Sequence, residues 1–367
     1  MPFTAERLSE IFRIPDSEYI LDPVKHGHIN QTYKVLSSGK PVYILQKINE
    51  QVFPDVDGLM ANYLLVSGRL NNHPWPENQG IRVPEVIRTH DGALIFRHPE
   101  HGSFRLITYI EGVTLSSHEQ NAGTAYETGL AFGHFLTGAS GINPVLLFPV
   151  LPDFHHLNKR YNQFQAALDS DSASRVGVCQ HEIEQVKKFR PLLLKIPELI
   201  ESGIVPVRVV HSDTKLTNIL FNRQGKATGV IDLDTVMAGS ALHDFGDAIR
   251  SLANTSEEDE PDLSKVQFDY LAFESFARGY LEAAGAILTK TETSLLSESA
   301  MLMTYIIGLR FLTDYLSGDT YYRISYPDHN LVRARVQIRL LQQMYANRER
   351  MKAIVFQLGK SYSISDI

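Results

Sequence analysis

Short alternations of apolar and polar residues dominate the first third of the chain. Gln31-Thr32-Tyr33-Lys34-Val35-Leu36 is rich in β-formers, and Val42-Tyr43-Ile44-Leu45 begins a further strand after the turn Ser37-Ser38-Gly39-Lys40-Pro41. Gly27-His28-Ile29-Asn30 reads as the preceding turn. From about Asp57 to Leu70 the period lengthens, with Leu59, Met60, Tyr63, Leu64 and Leu70 apolar, which predicts one helix. Strands are expected again near 83–89, 93–96 and 103–110. Residues 1–110 are thus expected to form a small β-sheet carrying one helix.

Beyond Glu111-Gly112 the period is helical, at about 123–140, 182–200, 265–288, 292–316 and 331–357. One strand-rich island, about 205–235, interrupts these helices. The acidic stretch Asn254–Ser264 reads as a solvated surface connection, and Arg333, Arg335, Arg339, Arg348 and Arg350 as a solvated helix face. The pattern as a whole predicts an α+β chain of two lobes joined near residue 110, the larger and mainly helical one spanning 111–367.

Composition narrows the function. The 367 residues suffice for two domains. Against 42 Asp+Glu stand 35 Lys+Arg, a formal charge of −7, which argues against a nucleic-acid or anionic-membrane partner. Cys179 is the only cysteine, so a disulfide framework and a multi-cysteine zinc site are excluded and a reduced thiol in the cytoplasm is expected. The opening MPFTAERLSEIF lacks the order of a signal peptide, and no apolar run is expected to reach the ~18 residues of a membrane span. His155-His156 has no third ligand at a sensible spacing for a metal.

The island carries chemistry. His211-Ser212-Asp213-Thr214-Lys215-Leu216-Thr217-Asn218 matches the H-x-D-x-x-x-x-N catalytic loop of phosphoryl transfer. Val207–Val210 is a strand delivering it, and Ile219–Phe221, the turn Asn222–Gly225 and Ala227–Ile231 form a hairpin ending at Asp232. A hairpin returns the chain to its start, so Asp232 is expected beside Asn218. An amide oxygen and a carboxylate then converge, a donor set suited to Mg²⁺ bound partly through substrate phosphates. Asp213 is the expected base for the attacking hydroxyl, Lys215 a positive charge near the transferring group, and Asp234 a possible second metal ligand. Asp244-Phe245-Gly246 spells the protein-kinase metal motif, but no hairpin returns it to Asn218. Asp244 is expected to cap its helix or brace the catalytic loop.

HSDTKLTNILF and GVIDLDTVMAGSALHDFGDAIR together resemble the catalytic core of the aminoglycoside phosphotransferase/choline kinase superfamily, whose fold is kinase-like and bilobal. Within it, GHINQTYKV, YILQKIN, VFPDV and GLRFLTDYLSGDTYYRISYPDHNLVRARVQI resemble the N-acetylhexosamine 1-kinases. The resemblance implies ATP as cosubstrate between the lobes, its adenine on the linker at about Thr108–Gly112, which includes Tyr109 and Glu111. A kinase normally sets a strand lysine over the phosphates, paired with a helix glutamate. Here the strand offers Gln46 or Lys47, on opposite faces, and the helix after it contains no Glu. The resemblance makes 308–333 the acceptor wall. Arg310 and Asp314 share a helix face there, which suits either a sugar or a surface ion pair, and Tyr321, Tyr322 and Tyr326 follow. His28 in the first turn is a further candidate for the cleft.

The leading expectation is a Mg²⁺- and ATP-dependent kinase of the anomeric hydroxyl of N-acetylglucosamine or N-acetylgalactosamine, acting as a monomer or weak homodimer. Alternatives are a related kinase of an amino alcohol (choline, homoserine) or another sugar, and an inactive nucleotide-binding pseudokinase.

Overall fold

The structure is a computed structural model that describes residues 7–24, 29–76, 80–116 and 119–362. After a single helical turn, α1 (Leu8–Ile11), come β1 (Tyr19–Pro23), β2 (Gln31–Ser37) and β3 (Lys40–Lys47), then α2 (Val56–Asn71). β4 (Val86–Ile87), β5 (Phe96–His98) and β6 (Gly102–Thr108) complete an antiparallel sheet of order β1-β2-β3-β6-β4, with β5 on β6. Asp55 starts α2 by accepting the Gly58 N–H at 2.9 Å. β6 is buried along nearly its whole length, and its charged Arg105 is buried with the rest.

The larger part is helical: α3 (Ala122–Ala139), α4 (Leu157–Ser170), α5 (Gln180–Phe189), α6 (Lys195–Glu201), then, after the strand-bearing island, α7 (Ala241–Leu252), α8 (Tyr270–Ala284), α9 (Lys290–Leu316), α10 (His329–Ala346) and α11 (Arg348–Tyr362). α3 and α8 run against each other at a distance only glycine permits. A Cβ on Gly129 would lie 2.2 Å from the Phe276 carbonyl oxygen, and one on Gly279 2.1 Å from that of Tyr126.

Several expected boundaries shift for identifiable reasons. The helix expected over 182–200 is two helices, parted by a 3₁₀ turn at Arg190–Leu193 whose Pro191 has no N–H to continue the ladder. The one expected over 331–357 breaks at Asn347, whose side chain donates back to the Gln343 carbonyl at 3.2 Å. α4 is absent from the sequence expectation. The expectation of no membrane-length apolar run is also corrected. By length and composition α9 could cross a bilayer, but 94% of its apolar window is buried, which makes it the core helix.

Two other surface expectations change. The 254–264 segment is strapped to the helices rather than merely solvated: Arg250 donates to Glu258 at 3.0 Å, and His329 Nε2 lies 2.9 Å from Asp259 Oδ2. Four of the five arginines of α10 and α11 are similarly engaged. Arg335 pairs with the buried Glu182 at 2.7 Å, while Arg333, Arg348 and Arg350 lie over the rings of Phe311, Tyr345 and Tyr270. Cys179 is buried, which pushes its thiol up to about 11.

The island holds β7 (Arg208–Val210), β8 (Ile219–Phe221), β9 (Ala227–Val230) and β10 (Met237–Gly239), paired β7 with β10 and β8 with β9. It is also where the two parts of the chain meet. Val113 exchanges both backbone hydrogen bonds with Phe221 (3.0 and 2.9 Å), and Arg82 joins Thr228 and Val230 on β9. A Cβ at Gly112 would stand 2.9 Å from Leu220 Cβ, so the linker passes the hairpin only as glycine.

Candidate active site

β7 feeds its chain directly into the His211–Asn218 loop, which is braced from beneath. Asp244 accepts the backbone N–H of His211 at 2.7 Å through one oxygen and that of Ser212 at 2.8 Å through the other, while its own carbonyl accepts the Thr214 hydroxyl at 2.6 Å. Burial pushes the Asp244 carboxyl up to about 7 against the pull of those two N–H groups. The cap of α7 is Ser240, which accepts the Leu242 N–H. Of the two roles expected for Asp244, bracing is the one the geometry contains.

His211 is fully buried against the edges of Phe132 and Phe135, and burial lowers its pKa. One ring nitrogen meets the Ile231 carbonyl at 3.0 Å and the other takes the Asp213 N–H at 3.3 Å. Ser212 turns the chain through φ 65°, and Asp213 follows. Lys215 Nζ lies 2.6 Å from Asp213 Oδ1, and the Asn218 amide donates to Asp213 Oδ2 at 3.1 Å and to its carbonyl at 2.8 Å. Burial disfavours the Asp213 charge, but Lys215, with smaller help from His211 and the Asn218 amide, offsets it and holds the carboxyl below its usual range. For Lys215, burial is likewise outweighed, by Asp213 and Asp247, and its pKa is raised.

The hairpin delivers Asp232 as expected. Ile219 pairs with Val230, the Ile231 N–H reaches the Asn218 carbonyl at 2.9 Å, and Asp232 itself takes a left-handed turn at φ 64°. Burial, then the neighbouring Asp234 and Asp213, push the Asp232 carboxyl up to about 7. Asp232 is nonetheless open to solvent, and an accessible carboxylate crowded by Asp234 and Asp213, one residue past the strand bond to Asn218, is a hard-oxygen donor that a divalent cation would relieve, and it fits Mg²⁺. The third carboxylate, Asp234, has partners on both oxygens: Arg105 Nη1 at 2.5 Å on one and the Asn30 amide at 2.5 Å on the other.

On the nucleotide side, Gln46 faces the cleft with Arg105, its register partner across β3 and β6. Gln46 Oε1 accepts Arg105 Nε at 2.9 Å and Nη2 at 2.7 Å. Lys47 is on the other face, with its Cε near Gly102. Where a helix glutamate might stand, α2 presents Tyr63, whose ring lies 4.9 Å from the Arg105 guanidinium. Tyr109 is half-buried with its N–H on the Val42 carbonyl, and Glu111 is exposed. His28 lies outside the described residues. Arg105 is the member of this group that sequence reasoning missed; its one signal is a charge inside the apolar run Phe104-Arg105-Leu106-Ile107.

The acceptor candidates separate. Arg310 pairs with aromatic faces rather than with Asp314, its guanidinium lying 4.7 Å from the Phe154 ring and 5.6 and 5.5 Å from those of Tyr321 and Tyr322. Tyr322 also packs on Phe311, and burial pushes its hydroxyl up to about 12. Asp314 is buried, with both oxygens taken by the backbone N–H groups of Thr320, Tyr321 and Tyr322 (2.8–2.9 Å) and by Asn330. It shapes the loop that carries the tyrosines. Phe154 was not foreseen, nor was Arg160, whose guanidinium donates to the Phe154 carbonyl at 3.1 and 3.0 Å. Beside Phe154, His155 meets the Ser212 carbonyl at 3.3 Å, which joins this wall to the catalytic loop. A cavity of about 220 Å³ opens there, lined by Phe154, His155, Ser212, Met237 and His243.

A small antiparallel sheet over a helical lobe, with the H-x-D-x-x-x-x-N loop at their junction, is the architecture of a kinase-like phosphotransferase. Residues 20–292 match the phosphotransferase enzyme family, and the chain belongs to it. Solved structures with the same fold include a microcompartment-associated aminopropanol kinase (TM-score 0.64, 16% identity, 95% of this chain and 97% of that one). A choline kinase from Cryptosporidium parvum matches at TM-score 0.60 and 14% identity, over 95% of each chain. The GDP complex of aminoglycoside 2'-phosphotransferase-IIIa matches at TM-score 0.59 and 14% identity, covering 94% of this chain and 97% of that one.

Proposed function

We propose that the protein is a Mg²⁺- and ATP-dependent kinase of a small hydroxyl-bearing acceptor, an N-acetylhexosamine phosphorylated at its anomeric hydroxyl, working in the cytoplasm as a monomer or weak homodimer. The observation that carries the kinase reading is the arrangement around Asp213: a carboxylate held ionised beside Lys215, next to the Asn218 and Asp232 donors. In this reading Asp213 orients the acceptor hydroxyl and takes its proton as the oxygen attacks the γ-phosphorus. Lys215 keeps Asp213 ionised until then and adds positive charge at the transferring group. Asn218 and Asp232 would hold Mg²⁺, which when bound neutralises β- and γ-phosphate charge. The remaining contribution is positioning, which the Asp244 brace supplies.

The choice of acceptor rests on the flanking resemblance and on charge. A cationic acceptor calls for an open aromatic cage with free carboxylates. Here Arg310 occupies the aromatic cluster, and the nearby carboxylates already have partners: Glu258 has Arg250, Asp259 has His329, and Asp314 has backbone N–H groups. A neutral sugar with an amide arm suits that wall better than choline or an aminopropanol. A coupled ADP-release assay over N-acetylglucosamine, N-acetylgalactosamine, glucose, choline and homoserine tests it. Turnover of an N-acetylhexosamine to an alkali-stable, acid-labile sugar 1-phosphate is expected. Turnover of an amino alcohol alone overturns the acceptor assignment and leaves the kinase reading in place.

A further inference from the structure

We infer that Arg105 is the positioning residue of the metal loop, supplying from β6 the fixed cation that β3 does not, and that Asp234 is its anchor rather than a ligand of the metal. The inference rests on the kinase reading above.

The cleft face of β3 is uncharged at Gln46, and α2 carries no glutamate. Yet the same face holds a cation, one strand over. Arg105 is 1% exposed. A buried guanidinium is tolerated only when its donors and charge are both met. Those of Arg105 are met by Gln46 on two nitrogens, by Asp234 at 2.5 Å on the third, and by the Tyr63 face. Burial works against the charge, but Asp234, followed by Tyr63 and Asp232, offsets it and the Arg105 pKa is raised. A planar fork reaches Gln46 and Asp234 at once; a lysine at 105 has one nitrogen for both.

The two partners belong to different parts of the chain. Arg105 lies in the N-terminal sheet, whereas Asp234 lies in the 3₁₀ turn Leu233–Thr235, immediately after the left-handed Asp232. Asn30, in the bend that leads into β2, adds a second tether, bonding Asp234 through its amide nitrogen while its oxygen takes the Asn49 N–H at 2.9 Å. With both oxygens held from above, Asp234 fixes the turn that aims Asp232. Metal binding and the seating of the sheet on the helical lobe become one event.

The test is a Mg²⁺ titration of fluorescent-ADP binding to wild type, R105K, R105Q, D234N, N30A and the R105Q/D234N double variant, with a urea melt of each. Because partners that orient metal ligands change metal affinity by ~10–100-fold, R105Q and D234N are each expected to raise the half-saturating Mg²⁺ at least tenfold. R105K should recover part of that loss, and the double variant should be no worse than the poorer single. Metal-free ADP binding should stay within about twofold of wild type, since the role is one of aiming the metal loop. N30A leaves no buried charge unpaired, so it reads the same role if R105Q does not fold; a rise of ~3–10-fold is expected for this outer tether. Losses that multiply in the double variant, or N30A and R105Q titrating as wild type, overturn the inference alone. Wild type that binds ADP with no Mg²⁺ dependence overturns the kinase reading with it.

Discussion

Lys215 closes on Asp213 with 2.6 Å between Nζ and Oδ1, so the carboxylate proposed to take the acceptor proton carries its counter-charge two residues away in its own loop. Replacing Asp213 by Asn keeps the shape and removes the base. Turnover should fall ~10²–10⁴-fold, the range general-base catalysis supplies, while the nucleotide dissociation constant moves little. Steady-state rates beside fluorescent-ADP binding check both halves, and retained turnover removes Asp213 from this role.

Lys215→Met separates charge from chemistry. Without Lys215 the strongest pull against the burial of Asp213 is gone, so its pKa should rise and the acid limb of the kcat/KM profile should move to higher pH. An unchanged acid limb would assign the low pKa to another group.

Asp232 sets a second pH dependence with its own sign. Its carboxyl sits at about 7 because burial, Asp234 and Asp213 all favour the protonated form. Below pH 7 a bound cation must displace that proton, so metal-dependent nucleotide affinity should fall toward about tenfold per pH unit and level off above 7. Calorimetry in buffers of different ionisation enthalpy should detect proton release on binding at pH 6.5, and Asp232→Ala should abolish it.

Asp244→Ala should act on stability and on the loop together. It strips two buried backbone N–H groups, those of His211 and Ser212, of their acceptor, at ~1–3 kcal/mol each. Urea unfolding should show a loss of a few kcal/mol, whereas Mg²⁺-dependent nucleotide binding should weaken less than in Asp232→Ala. The reverse order would return the metal role to the Asp-Phe-Gly letters.

Arg310→Ala tests the acceptor wall. It removes a guanidinium from among Phe154, Tyr321 and Tyr322, so the acceptor KM should rise tenfold or more while the ATP KM stays put. A change confined to ATP would move Arg310 out of the acceptor site.

The placement of the proposed catalytic set was readable from sequence because its geometry is local. Asp213 to Asn218 is one turn of chain, and a tight hairpin fixes where Asp232 lands. Arg105 depends instead on the register of β3 against β6, which neither strand encodes alone, so only its charge in an apolar run was visible. For Asp314 the helical spacing gave the face but not the burial: it shares a side with Arg310 and yet points into the 319–322 loop. α4 escaped because Leu157, Phe164 and Ala167 are its only buried residues, too few to set a period. The break at Asn347 carries no proline or glycine; a side chain bonded to the preceding turn ends that helix, and periodicity does not register such a bond.

The burial of α9 has a consequence for making the protein. As the chain is synthesised, this 27-residue stretch emerges before α10 and α11, two of the helices that cover it. Until they arrive it is an apolar rod with the dimensions of a bilayer span. Fragments ending before residue 329 should therefore precipitate or adhere to membranes even though they contain every proposed catalytic and metal residue. Solubility should thus depend on α10 and α11, two helices that carry none of the proposed catalytic or metal residues.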